Sequence, residues 1–368
     1  MSFATTDEHR QLADSLQRML GEANDFESRR LRLCAAVPDR LALWPQLAEL
    51  GVIGAAFDDT YLGFAGDSRT VAVVLSAIGE SLAVEPYLAN AVIAGRILQH
   101  SASAHALSLI EACIQGREIF VLAHDAGSDP FGVPAVAAET VDGISMLNGR
   151  LRCIRHADVA GSFLVTCTER GTTSIYQVPR GTPGLEIQPY RLIDAAGAGD
   201  LALQAVRLPS SARLTFKDSA TEALHDALEW GILGLAAEVA GIVGALNRAT
   251  FAYLTSRKQF GVTLSTFQAL QHRSADMFIA GEELSAAVNH AIEALRAPPH
   301  PNRSAAVCAA KVVADVAGRR VGHEAVQMHG GMGVSDELSV SHYMRRLAAI
   351  RAELGSADTH RLRFASLQ

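Results

Sequence analysis

Cysteine is sparse in this chain, and its placement carries no pattern. The five residues Cys34, Cys113, Cys153, Cys167 and Cys308 are scattered over 368 positions, and no two stand in C-x-x-C spacing. A disulfide framework is therefore not expected, and the thiols read as reduced and intracellular. Strong net charge is lacking too. The formal charge is −7 and no block of like charges forms a tail, which argues against nucleic acid or an anionic membrane surface as a main partner. Long apolar runs are missing as well. The longest, around 230–243, is interrupted by Glu238 and is too short to span a bilayer. The start is acidic, with no basic stretch leading into an apolar one, so no secretory signal is expected. There is no G-x-S-x-G elbow and no P-loop. The 13 histidines form no ligand-spaced cluster, since His323 and His329 miss the spacing that puts two imidazoles on one helical face. No metal is expected. With 49% hydrophobic and 19% charged residues, the composition is that of a globular protein, expected in the cytoplasm.

What is present changes character twice along the chain. Up to about residue 117 the sequence is rich in Ala, Leu and Glu with helical periodicity. Thr5 followed by Glu8 has capping-box spacing and predicts the first helix start. Further helices are predicted over 44–50, with Pro45 in the first turn, and over 68–82, 88–99 and 104–115. From 118 to about 216 short β-type runs follow, at 118–123, 143–148, 162–168, 173–178 and 201–208, broken by Gly and Pro. Val141-Asp142-Gly143 and Leu147-Asn148-Gly149 read as turns between strands. The connections are too short for βαβ crossovers, so an antiparallel barrel or sandwich is expected. After Asp218 long helices are predicted at 220–256, 266–295, 304–328 and 337–353, with Pro298-Pro299-His300-Pro301 separating the second from the third. The expected fold class is α+β: an N-terminal helical domain (1–117), a middle β domain (118–218) and a C-terminal helical bundle (219–368). The bundle is expected to form an oligomer core, because its helices carry more apolar residues than one face buries.

Two motifs sharpen this outline. Arg257-Lys258-Gln259-Phe260-Gly261, followed by Phe267-Gln268 and Ala275-Asp276-Met277, resembles the R-x-x-F-G…F-Q…A-D-M segment of acyl-CoA dehydrogenases. Gln327-Met328-His329-Gly330-Gly331-Met332-Gly333 resembles the same family's Q-x-x-G-G-x-G segment, and Gly63-Phe64-Ala65-Gly66 reads as a turn where the family often has a Gly-Gly pair. The resemblance covers essentially the whole chain. It implies an acyl-CoA dehydrogenase fold with a middle β-barrel and a C-terminal four-helix bundle, FAD as cofactor, α,β-desaturation of an acyl-CoA thioester, and electron-transfer flavoprotein as acceptor. It further implies that Arg257, Gln259, Phe260 and Gln268 hold the FAD of one subunit while Gln327, Gly330 and Gly331 reach the neighbour's, in a dimer or tetramer. Arginine suits this role because its planar fork of donors matches a pyrophosphate. Each motif also has a plainer reading, a basic helix end for Arg257-Lys258 and a helix stop for Gly330-Gly331.

The active-site positions depart from the family pattern. One family arrangement has a Glu base directly before a Gly near the C-terminus; Leu354 stands there, with Glu353 one residue early. Another places the base on the first helix of the C-terminal bundle; counting back from Arg257 puts Gly231 there, with Glu229 two residues away. Glu238 lies in an apolar helical stretch, where a carboxylate is costly unless paired. Glu229, Glu238 and Glu353 are therefore the candidate bases. Glu238 has the plainer reading of a structural ion pair, and Glu229 that of a solvated helix residue. The family's T-E-P loop becomes Leu122-Ala123-His124-Asp125, although Ser128 of the following G-S-D remains. Its W-x-T/S segment becomes Cys153-Ile154-Arg155, so Arg155 either meets the flavin or is a solvated strand residue. Ser356 completes the candidate cofactor set. These losses resemble the family's small or partner subunits, such as that of pimeloyl-CoA dehydrogenase, along with Leu354-Gly355-Ser356-Ala357-Asp358-Thr359-His360. The chain is therefore expected to be an acyl-CoA dehydrogenase using one of these carboxylates, as one subunit of a homo- or hetero-oligomer, or alternatively, as this resemblance implies, a degenerate subunit that completes FAD sites and supports a second, active acyl-CoA dehydrogenase subunit.

Overall fold

The first helix begins one residue later than the Thr5–Glu8 spacing predicts. Thr6 is the N-cap of α1 (Asp7–Ala23), its hydroxyl accepting from the His9 N–H at 3.2 Å. That register puts both Asp7 and Glu8 in the first turn, where the helix dipole favours negative charge. The structure, a computed structural model, describes residues 3–35, 38–61, 63 and 66–367. Phe64 and Ala65 of the expected Gly63–Gly66 turn lie outside them. α2 (Phe26–Cys34) was not foreseen, because its run is too charged to show an apolar stripe. α3 (Trp44–Glu49) carries Pro45 in its first turn and α4 (Ser68–Ser81) follows as read. The helix predicted over 88–99 is a π-helical stretch, Leu88–Ala94, running on into α5 (Gly95–His100). Buried Asn90 sits in the wide turn and its Oδ1 accepts from the Phe120 N–H at 2.7 Å. α6 (Ala106–Ile114) leads into the strands.

Seven strands form one sheet: β1 (Phe120–Ala123), β2 (Val136–Val141), β3 (Ile144–Arg155), β4 (Ser162–Glu169), β5 (Thr172–Pro179), β6 (Leu185–Arg191) and β7 (Gly197–Pro209). The expected all-antiparallel pairing is corrected here, since β1 and β2 both run parallel to β4. The loop from β1 and the whole β2–β3 hairpin intervene before β4, which gives the chain length enough to return in the same direction. Asp142 and Gly143, both left-handed (φ 50° and 75°), make the β2–β3 turn that the sequence indicated. Asn148-Gly149 is not a turn. It is a bulge inside β3, where the strand crosses so close to Val136 that a Cβ on Gly149 would approach its Cα to 2.9 Å.

Long helices follow: α7 (Ala220–Ser256), the small hairpin of β8 (Lys258–Gln259) and β9 (Val262–Thr263), α8 (Gln268–Leu295), α9 (Pro301–His329), α10 (Ser339–Ile350) and α11 (Ala357–Ser366). α7 is long and apolar enough to cross a membrane by length and composition, but its most apolar window is wholly buried within the protein. α11 escaped the reading because six of its ten residues are polar or charged.

The chain divides into two compact units. One comprises Met1–Leu31, Ala72–Ala83 and Ile232–Gln368; the other comprises Arg32–Val71 and Val84–Gly231 and contains the seven-stranded sheet. Within the helical unit, α4 ends on three borrowed donors. Asn24 Nδ2 donates to the Ser81 carbonyl at 2.8 Å, Arg29 Nε to the Leu82 carbonyl at 2.7 Å, and the Tyr343 hydroxyl to the Glu80 carbonyl. These are the last carbonyls of a helix end, which have no intrahelical partner. Glycines set the crossing of α4 and α7: a Cβ on Gly79 would meet the Glu238 carbonyl oxygen at 2.2 Å, and one on Gly241 the Ser76 carbonyl oxygen at 2.0 Å. Replacing buried Arg29 by Met strands the Leu82 carbonyl and is expected to cost about 1–3 kcal/mol, read as a lower urea midpoint with unchanged slope.

Candidate functional site

At one end of the helical unit the two motif segments stand side by side. The last turn of α7 closes with the Arg257 N–H on the Tyr253 carbonyl at 2.8 Å, and the Arg257 carbonyl then accepts from Leu264 N–H at 2.9 Å across the β8–β9 hairpin. Arg257, Lys258, Gln259, Phe260 and Gly261 are all exposed, and so is Gln268 at the start of α8. Phe260 is 89% exposed and left-handed (φ 55°), with its ring edge-on to Phe267. The second segment ends α9: Gln327, Gly330 and Gly331 are exposed, and Gly330 turns the chain with φ 62°. Tyr253 stacks on His329 with centroids 4.5 Å apart, which ties one segment to the other.

This arrangement fits a dinucleotide. Arg257, Lys258, Gln259 and Gln268 present a guanidinium, an ammonium and two side-chain amides, as a pyrophosphate requires, and the one acidic motif residue, Asp276, is paired with Arg320 at 2.8 Å. Cβ atoms added to Gly261, Gly330 and Gly331 would meet nothing within 4 Å, so the backbone there is open to close approach.

The sheet-bearing unit holds Ser128 and Arg155. Ser128 is exposed on the loop after β1. His124 braces that loop from inside, one ring nitrogen 2.8 Å from Thr166 Oγ1 and the other 2.8 Å from the Pro130 carbonyl. Burial pushes the His124 imidazole below its ordinary range. Asp125 adds its Oδ1 to the Gly127 N–H at 3.0 Å. Arg155 is not a solvated strand residue: its guanidinium donates to Asp194 at 2.7 Å, and the carboxylate is 1% exposed. Cys153 sits on a second bulge of β3, left-handed at φ 53°, its N–H donating to Asp200 at 2.9 Å.

The three candidate carboxylates are placed very differently. Glu229 is buried on α7, against the expectation of a solvated residue, in the stretch where Asp226 accepts from Arg96 and lies 2.8 Å from His100 Nε2. Gly231 offers no side chain. Glu238, at the α4–α7 crossing, is 4% exposed and takes both Nε and Nη2 of Arg346, at 2.6 and 2.7 Å. Glu353 accepts from Nη1 of the same arginine at 2.5 Å. One guanidinium thus holds two of the three candidates. The sequence reading missed Arg346, although its position seven residues before Glu353 was visible.

The segment bearing Leu354 is pinned along its length. Lys311 Nζ donates to the Ile350 carbonyl at 2.6 Å, Arg351 bonds Asp315 at 2.7 Å, and fully buried His360 donates Nε2–H to the Leu354 carbonyl at 2.8 Å. Leu354 is left-handed (φ 52°), an unfavourable conformation for a residue with a Cβ, and Gly355 follows at φ 94°. Ser356 caps α11, accepting from the Thr359 N–H at 3.2 Å. Burial lowers the Lys311 ammonium from its ordinary value near 10.5 to about 8, with Glu353 and Asp315 opposing the shift.

Comparison with known proteins gives the following. Residues 221–366 match the family described as acyl-CoA dehydrogenase, C-terminal domain. The chain is 28% identical to the short-chain specific acyl-CoA dehydrogenase of Megasphaera elsdenii, over 91% of its own length and 92% of that protein's. Its fold matches a chain of the ChsE4-ChsE5 complex from Mycobacterium tuberculosis with TM-score 0.90 at 24% identity, covering 100% of this chain and 98% of that one. A chain of a Tcur3481-Tcur3483 steroid ACAD variant matches with TM-score 0.88 at 25% identity, covering 98% and 97%.

Two outcomes are expected from this charge cluster. Arg346→Met leaves Glu238 buried without its partner and is expected to cost about 3–5 kcal/mol, with much of that loss recovered in the Glu238→Leu/Arg346→Met pair, in a double-mutant urea cycle. Lys311 binds its proton less well folded than unfolded, so it weighs against the fold in full below about pH 8. That burden lifts as pH rises from about 8 toward 10.5, and stability is expected to rise with it. Lys311→Met is expected to abolish this rise when unfolding is compared at pH 7.5 and 9.5.

Proposed function

The chain belongs to the acyl-CoA dehydrogenase family, and from that premise we propose that it is the base-free subunit of an FAD-dependent acyl-CoA-desaturating oligomer. The observation that carries this reading is the double engagement of Arg346. Desaturation needs a carboxylate free to take the α-proton. Here one base position holds Leu354 and the other Gly231, while Glu238 and Glu353 are both held by one arginine. A carboxylate leaving such a pair would abandon a buried charge.

In this reading the chain's own work is binding and orientation. Arg257 and Lys258 neutralise the pyrophosphate, Gln259 and Gln268 supply directional donors, and Gly330 and Gly331 let the backbone approach. FAD, when bound, supplies the hydride acceptor for the β-carbon of the thioester. The carboxylate that takes the α-proton comes from a second acyl-CoA dehydrogenase chain, and electrons leave through electron-transfer flavoprotein. Two chains are named together in each of the two solved structures above, which supports pairing with an unlike partner. Large exposed apolar side chains on the helical unit, Phe278 at 55% and Ile279 at 50% on α8, support an oligomer face there. A second reading, a self-sufficient enzyme, is favoured by one observation: Glu229 is a buried carboxylate on α7.

The visible spectrum of the chain purified alone, loaded with FAD and mixed anaerobically with a panel of acyl-CoA thioesters, separates the two. No bleaching is expected for the wild type. Leu354→Glu, placed in a backbone already pinned, is expected to bleach at least about 100-fold faster than wild type. Wild-type bleaching that disappears in Glu229→Gln would overturn the base-free reading in favour of the second.

A further inference from the structure

α1, α2, α4 and α10 do not close fully on one another. Between them lies a cavity of about 390 Å³, wholly inside the helical unit. That volume falls in the range that holds small molecules. None of its lining residues belongs to the two motif segments. Its floor is the capped end of α4, held by buried Asn24, Arg29 and Tyr343. A floor fixed in this way is preorganised, so a ligand orders little on binding. Leu20, Phe26, Ala77 and Leu82 give an apolar wall, and Gln17 and Ser339 add an amide and a hydroxyl. Gly21, in the last turn of α1, leaves another wall open. A Cβ there would meet nothing within 4 Å and its φ is not left-handed, so neither packing nor backbone geometry demands a residue that weakens a helix.

The groups around the cavity sort its ligands by chemistry. The Glu80 carboxylate is engaged by Arg248, and Arg29 by the Leu82 carbonyl and by His342 Nδ1 at 3.3 Å. An anion would face Glu80 and the negative end of the α4 dipole, and a cation would face Arg29 and Arg248. A neutral molecule meets neither penalty. What the floor offers it is acceptors. The Tyr343 hydroxyl gives its proton to the Glu80 carbonyl, and the Ser81 hydroxyl gives its own to the Ile78 carbonyl at 3.1 Å, so toward a ligand both accept. The carbonyls of Glu80, Ser81 and Leu82 each take a side-chain donor, and a carbonyl oxygen has lone pairs for two. Beside these acceptors stands the wall with Phe26, which suits a flat ring. We propose that this cavity binds a small neutral aromatic molecule bearing hydroxyl or amide N–H donors, at a site separate from the motif segments. The ring lies against the apolar wall and its donors bond the end of α4. Bound there, the ligand ties α1 and α10 to that helix end and steadies the helical unit.

The test titrates the full-length chain with para-hydroxybenzamide, followed by saturation-transfer NMR and by melting temperature. Saturable binding is expected, with a dissociation constant of about 0.1–1 mM. The melting temperature is expected to rise by about 2–4 °C near saturation. Two analogues check the chemistry. para-Methoxy-N,N-dimethylbenzamide keeps the ring without a donor, and para-hydroxybenzoate carries a negative charge. Each is expected to bind at least about tenfold more weakly. Gly21→Leu and Ser339→Leu fill the cavity from α1 and from α10, and each is expected to weaken the probe at least about tenfold while circular dichroism stays that of wild type. Gly21→Ala, which fills little, is expected to keep binding. The proposal is overturned by the absence of saturable binding, by equal binding of the donor-free analogue, or by undiminished binding in both leucine variants, which would put the probe elsewhere on the chain. None of these outcomes touches the FAD reading, whose residues lie outside the cavity.

Discussion

One arginine organises the centre of the helical unit. Arg346 projects from α10 into the α4–α7 crossing and there meets two glutamates. Gly79 and Gly241 allow the helices to close on that point, and the closure dries it. A carboxylate in so dry a place demands a partner, and a guanidinium with three usable edges satisfies two carboxylates at once. α7, α10 and the α10–α11 segment are therefore joined through a single side chain. The chemical consequence follows from the structural one. Glu238 and Glu353 are thereby committed to holding these elements together.

Much of this frame was legible in the sequence because it is periodic. The long C-terminal helices were readable from apolar repeats, and Pro301 falls at the start of α9, where the chain has no N–H to lose. α2 and α11 were not, since helices bearing mostly polar or charged residues owe their place to tertiary contacts, as His360 does to Cys308 and Leu354. In the sheet, the Asp142-Gly143 turn was legible and the Asn148-Gly149 bulge was mistaken for one. The same dipeptide chemistry serves both, and only the passage over Val136 distinguishes them. Parallel pairing of β1 and β2 with β4 is a long-range choice that no local pattern encodes.

The site divides in the same way. Motif spacing singled out Arg257, Gln259, Gly330 and Gly331, and the structure finds them exposed and open. It could not supply what braces them. Tyr253 reads as one more helical residue, and Lys311 as one charge in an apolar run, until the fold brings each to its partner. Glu238 was legible as an anomaly, a carboxylate among alanines and valines, but its partner lies 108 residues downstream. Arg155 shows the reverse case. A strand arginine invites a ligand by its chemistry, and the fold sets Asp194, 39 residues on, against one edge of its guanidinium.

The capped end of α4 bears on how the chain reaches this state during synthesis. Its Glu80 carbonyl waits for Tyr343, 263 residues away, and Arg29 waits for His342, 313 residues away. The opening helices emerge from the ribosome long before the residues that finish their packing. Until α10 arrives, α2 and the end of α4 lack these partners. Contacts so distant along the chain slow folding and prolong the exposure of sticky surface. Late assembly of this kind makes a truncation that removes α10 a defect of the N-terminal helices as well.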